Sequence, residues 1–152
     1  MKKILLIISI ILSLAACQND GRIGSLFGTW GLASMTVNGA PAEDVDPELT
    51  TWSFQNNIVR IVLDGPHHAW TDRTGTWSRT SRDGKNYLEL DFTPGEDGIA
   101  PGSGPYKAPE WLGFPENRVV PLEFVKDSSR EMILTWTDDD GKVYVYTLKK
   151  TW

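Results

Sequence analysis

From Leu26 onward the apolar residues fall at every second position, a spacing that gathers them on one face of an extended strand and scatters them around a helix. The run Tyr87 to Phe92 is the clearest case: Leu88, Leu90 and Phe92 point one way, Tyr87, Glu89 and Asp91 the other. No window of a dozen residues carries a 3.6-residue stripe, so the chain reads as all-β. Eight strands are expected, over residues 26–37, 50–55, 58–63, 74–79, 87–92, 119–125, 132–137 and 142–150. Asn38-Gly39, Asn56-Asn57, Arg82-Asp83-Gly84-Lys85 and Asp138-Asp139-Asp140-Gly141 supply the turn chemistry between them. Residues 40–49, with Pro41, Pro47 and four acidic side chains, read as a loop with one helical turn near Asp46-Pro47. Pro121 predicts a bulge or an edge position in its strand. Hairpin-length links make an antiparallel meander, which closes as an up-and-down barrel or packs as a sandwich. Nearest-neighbour connectivity favours the eight-stranded barrel, because closure removes both edges.

The first 17 residues have a different pattern. Lys2 and Lys3 form a basic start, Ile4 to Leu14 an apolar run broken only by Ser9 and Ser13, and small residues follow, as in a secretory leader. The run is shorter than the roughly 20 apolar residues a membrane-spanning helix needs. Leu14-Ala15-Ala16-Cys17 resembles the lipobox of bacterial lipoproteins, which implies cleavage before Cys17 and attachment of a diacylglycerol to its sulfur. Cys17 is the sole cysteine, so no intrachain disulfide is possible. The expected organisation is a leader over 1–16, a lipidated tether over 17–25 and a barrel domain over 26–152. Two or three acyl chains, at roughly 0.8 kcal/mol per buried methylene, make a lasting anchor. Gln18 stands where the lipoprotein sorting pattern places aspartate in proteins kept at the inner membrane, so the resemblance implies the outer membrane, on its periplasmic or surface face. Gln18 to Ser25 reaches under roughly 30 Å, so the domain is expected to work close to the bilayer.

Leu26-Phe27-Gly28-Thr29-Trp30 looks like the Gly-x-Trp signature of lipocalins and related calycin barrels. In that family the glycine lets the backbone bend and the tryptophan plugs one end. Gly75-Thr76-Trp77 repeats the pattern in mid-chain, and the closing strand from Lys142 to Lys149 is similar to those of compact bacterial lipocalin-like lipoproteins. The resemblance covers Leu26 to Trp152 and implies a ligand-binding barrel. The long C-terminal helix of the larger secreted lipocalins has no counterpart here.

Thr93 to Arg118 is the unusual segment: 26 residues with five prolines, five glycines and no strand pattern. Loops this long inside a compact domain are usually functional or disordered. This one carries Tyr106, Trp111, Leu112 and Phe114, a poor composition for a disordered tail. Two readings are open, a lid over one mouth of the barrel with Tyr106 and Trp111 touching what enters, or rings that plug the end and complete the core. The candidate ligand-binding residues are Tyr106, Trp111 and Phe114 with the strand tryptophans Trp52, Trp77 and Trp136, drawn from a total of seven tryptophans. Aromatic faces suit flat apolar ligands and sugar rings, but a mature chain of this size must also fill its own core.

Other chemistries are weakly supported. His67-His68 are neighbours that point apart on an extended chain, with no third soft ligand, and Asp138-Asp139-Asp140-Gly141 lacks the EF-hand spacing, so no metal is expected. The crowded Glu43, Asp44, Asp46 and Glu48 read as a solvated face. The chain lacks a Gly-x-Ser-x-Gly elbow, a phosphate-binding glycine loop and a free cysteine nucleophile, which argues against an enzyme, and no cofactor is implied. Removing Lys2 and Lys3 with the leader leaves 13 of the 15 basic residues against 20 acidic ones, a formal charge of −7 that disfavours nucleic acid. The expected function is capture of a small apolar or amphipathic ligand at the barrel mouth by a membrane-anchored protein. The alternatives are an envelope interaction protein with a solid barrel, such as an inhibitor or accessory subunit, and carbohydrate capture by exposed tryptophans.

Overall fold

The alternating segments pair into one antiparallel sheet that closes on itself. The computed structural model describes residues 23–65, 70–93 and 107–152. Its strands are β1 (Gly28–Val37), β2 (Ala40–Pro41), β3 (Thr50–Gln55), β4 (Ile58–Asp64), β5 (Trp70–Arg82), β6 (Lys85–Asp91), β7 (Val119–Asp127), β8 (Glu131–Thr137) and β9 (Val143–Lys150). Strands β1 and β3 to β9 pair with their neighbours in chain order, and β1 pairs again with β9, giving a closed eight-stranded up-and-down barrel. Among the described residues the helical pieces are short 3₁₀ turns, at Gly24–Leu26, Pro47–Leu49 and Glu110–Leu112. The second of these is the turn expected near Asp46-Pro47, with the Asp46 carboxylate accepting from the Glu48 N–H at 3.1 Å.

Three details depart from the sequence reading. Strand β5 runs for 13 residues rather than six, because its added residues, polar apart from the exposed Trp70, give no alternation to detect. The two-residue β2 pairs with the upper end of β1 through Thr36↔Pro41 and Val37↔Ala40. Pro121 sits in register opposite Glu89 inside the closed sheet, and the bulge of β7 falls later, between Phe124 and Lys126.

The connections define two ends. One end, the base, holds the entry turn Gly24–Leu26, the β3–β4, β5–β6 and β7–β8 hairpins and the residues after β9. The other end, the mouth, holds the β1–β3 loop, the β8–β9 turn and the long β6–β7 connection. Asn38-Gly39 at the mouth and Asp83-Gly84 at the base both take positive φ, 52° and 81° in the first and 53° and 73° in the second, as tight strand-matched turns require. Between the ends the inward positions form a single core, including Trp30, Trp52, Phe54, Leu88, Leu90 and Tyr146, all at most 1% exposed.

The base is shut by Trp30. Its indole N–H donates to the Leu26 carbonyl at 2.9 Å, and the Lys150 ammonium lies 5.1 Å from the ring centroid while donating to the Ser25 carbonyl. Gly28 has φ of 112°, and a Cβ there would stand 2.7 Å from the Trp152 carbonyl oxygen, so the bend admits only glycine. Ile23, 3% exposed, already belongs to this core, three residues before the expected start at Leu26.

Candidate functional site at the barrel mouth

The described part of the long β6–β7 connection turns inward. Ala108, Leu112 and Phe114 are buried, and Pro109 begins the turn Glu110–Leu112 that carries them into the barrel. Gly113 ends the turn at φ of 76°, and a Cβ on it would stand 2.4 Å from the Tyr144 ring. Phe114 meets four rings, with centroid distances of 5.6 Å to Tyr146, 6.0 Å to Trp52, 6.3 Å to Phe92 and 6.4 Å to Trp136. The Tyr146 hydroxyl donates to the Leu112 carbonyl at 2.6 Å, which satisfies a carbonyl the turn would otherwise bury unpaired. Burial holds the Tyr146 phenol well above its ordinary pKa, with the Trp136 indole acting in the opposite direction. Of the two readings of this loop, residues 107–114 form the plug.

Trp111 takes the other side of the turn and stays partly exposed. Arg73 explains its position. Arg73 lies opposite the buried Ile61 in the β4–β5 ladder, so its side chain starts inside the barrel wall near the mouth. Its guanidinium is 5.6 Å from the Trp111 ring centroid and 3.4 Å from the Glu110 carboxylate. Glu110 is lowered from its ordinary pKa, first by its own backbone N–H and further by Arg73, against the opposing effect of burial. One arginine thus ties the plug to the wall through a charge and a ring.

Between this turn and the β1–β3 loop lies a cleft of about 510 Å³. Met35, Val37, Ala42, Val45, Trp111 and Tyr144 give it an apolar lining, while Glu43, Asp44 and Glu110 place carboxylates on it. The Thr50 hydroxyl and the Trp52 indole N–H on β3 are fully buried and have no hydrogen-bond partner among the described residues.

The structure therefore sorts the sequence candidates. Trp52, Phe114 and Trp136 come together in one ring cluster, joined by Tyr146 and Phe92. Trp111 lines the cleft above them. Trp77 stands apart on β5, edge-on to Phe54 at 6.0 Å, and Gly75 serves a different purpose from Gly28 by making room for the Phe92 ring. Tyr106, His67, His68 and Cys17 lie outside the described residues. Sequence reasoning missed Arg73, Tyr144 and Tyr146. Arg73 sits in a polar stretch with no alternation, and the tyrosines alternate within β9 but gain their role only from the plug. Among the described residues no group of three metal-ligating side chains converges.

The leader matches the prokaryotic membrane lipoprotein lipid attachment site over residues 1–18. No curated protein sequence matches the chain. Among solved structures it is similar to a lipocalin-like protein from Bacteroides uniformis, with 17% identity, a TM-score of 0.52 and coverage of 84% of this chain and 99% of that one. A second similar structure is an uncharacterized protein from Bacteroides eggerthii, with 15% identity, a TM-score of 0.51 and coverage of 80% and 98%. At such identities the likeness concerns the fold alone, and it agrees with the closed barrel. The chain therefore joins a prokaryotic lipoprotein lipid attachment site to a barrel of lipocalin-like fold, which makes it a lipid-anchored lipoprotein of the cell envelope.

Proposed function

We propose that the protein is a non-catalytic binding module that holds one small amphipathic molecule in the mouth cleft. The observation that carries this reading is the cleft itself: about 510 Å³, lined by both apolar side chains and carboxylates, with Trp111 held as one wall. That volume falls in the range of small-molecule sites. The apolar body of the ligand lies against Trp111, Val37 and Val45, and its polar end meets Glu43, Asp44 and Glu110. Carboxylates repel anions, so the polar end is neutral or cationic. Trp52, Phe114 and Trp136 support the floor from below, and Cys17 anchors the module, in the outer membrane by the Gln18 criterion.

The test is thermal unfolding of the lipidated full-length protein in detergent, followed by tryptophan fluorescence, with amphiphiles of equal chain length. An alkyl glucoside and an alkylamine are expected to raise the melting temperature by mass action, and the fatty acid to leave it unchanged. No shift with any of the three would sink the reading. One observation favours a second reading: Phe114 fills the centre of the barrel, as a solid scaffold for contacts with an envelope protein would require. That reading predicts no thermal shift and a single crosslinked partner in membranes.

A further inference from the structure

The anchor joins the barrel at one end, and that end has its own surface chemistry. Five residues separate Cys17 from Ile23, and the six steps between their Cα atoms span at most about 20 Å. Ile23 is buried at the base, so the base lies within that reach of the lipid surface, while the mouth is a strand length farther, about 20 Å.

Trp152 lies at the base and is 72% exposed. It is held in place: the Thr151 N–H and hydroxyl both donate to the Thr29 carbonyl, at 2.9 and 3.0 Å, and the indole stands edge-on to Phe27 at 6.4 Å. With Phe27 and Ile58 it borders a groove of about 340 Å³. An indole fixed in water gains nothing from the fold, whereas indoles settle favourably at the headgroup level of a bilayer.

Charge separates the ends in the same sense. Around the base, residues 79–89, 123–131 and 149–152 carry seven basic and five acidic side chains, and residues 23–31 and 53–58 carry none. Around the mouth, residues 36–50, 63–65, 70–73, 91–93, 107–119 and 137–143 carry four basic and twelve acidic ones. An anionic lipid surface draws the first end and repels the second.

We infer that the base is a lipid-facing surface: the barrel stands on its own membrane with Trp152, Phe27 and Ile58 at headgroup level and the acidic mouth toward water. This orientation is independent of what the mouth binds.

The test uses the lipidated full-length protein in vesicles of phosphatidylethanolamine and phosphatidylglycerol whose acyl chains carry bromine near the headgroup, which quenches tryptophans at that depth. Trp152→Phe is expected to remove most of the quenching. Trp70→Phe, which alters an indole 60% exposed at the mouth, is expected to leave the quenching intact. Both side chains are exposed, so neither change disturbs the core. Quenching undiminished in Trp152→Phe, quenching lost with Trp70→Phe instead, or no quenching in the unaltered protein would each overturn the orientation.

Discussion

The base and the mouth of this barrel are closed by different means. At the base the closure is local in sequence and continuous with the wall: Trp30 bonds to Leu26 four residues away and is covered by Lys150 of the adjoining strand. At the mouth the closure is borrowed from a long connection, whose turn Glu110–Leu112 reaches in and is held by Arg73, Tyr146 and the rings around Phe114. A wall residue cannot leave without unfolding the sheet, but an inserted segment can leave while the sheet stands. The difference separates the part of the molecule that carries global stability from the part that can open by itself.

The largest expected effect tests the base. Trp30→Ala deletes a fully buried indole and is expected to cost about 3–5 kcal/mol of global stability, read from the denaturation midpoint at unchanged slope. At the mouth, Phe114→Ala is expected to cost about 3 kcal/mol, but as local opening. Hydrogen exchange of amides 107–114 should accelerate while that of β3 and β9 stays slow. If the whole barrel loosens equally, the contrast between the two ends fails.

Tyr146→Phe removes the hydroxyl that serves the Leu112 carbonyl and is expected to cost about 1–3 kcal/mol. It also carries a pH signature. The folded-state pKa of Tyr146 is raised above the unfolded value of 10.0, so the unfolded chain gives up this proton first. Stability is therefore full below about pH 10 and falls as pH rises beyond it, and Tyr146→Phe should flatten that alkaline decline. An unchanged slope would remove Tyr146 from the account. Arg73→Ala, which cuts an ion pair whose Glu110 end is exposed and a ring contact, is expected to cost about 1 kcal/mol, with faster exchange confined to the plug. The smallest structural change is Trp111→Ala, expected to stay within about 1 kcal/mol in stability while abolishing the amphiphile-induced thermal shift. A large loss of stability would make Trp111 part of the core instead.

Much of this fold was legible because period-two alternation is a direct consequence of one buried face. Leu88, Leu90 and Phe92 are all buried as the pattern required, and Thr50 to Gln55 was bounded correctly. The barrel followed because hairpin-length links leave few topologies. Strand β5 escaped in part since Thr71, Asp72 and Arg73 have no apolar face to reveal them. The plug was half legible: the aromatic content of the loop marked it as something other than a tail, but which ring turns in depends on Gly113 and on Tyr146, more than thirty positions along the chain. Arg73 was invisible for a related reason, because its function arises from a contact with Glu110 that no local spacing encodes.

Closure of the sheet between β1 and β9 also matters for a protein confined to a surface. An anchored domain meets its neighbours in two dimensions, at an effective concentration far above that of the same molecule free in solution. Exposed strand edges under such crowding would template pairing between copies. Among the described residues each strand from β1 and β3 to β9 has a neighbour on both sides, and at the rim β2 covers Thr36 and Val37 of β1. A closed wall thus removes one route, strand-to-strand pairing, by which crowded copies of this lipoprotein would join.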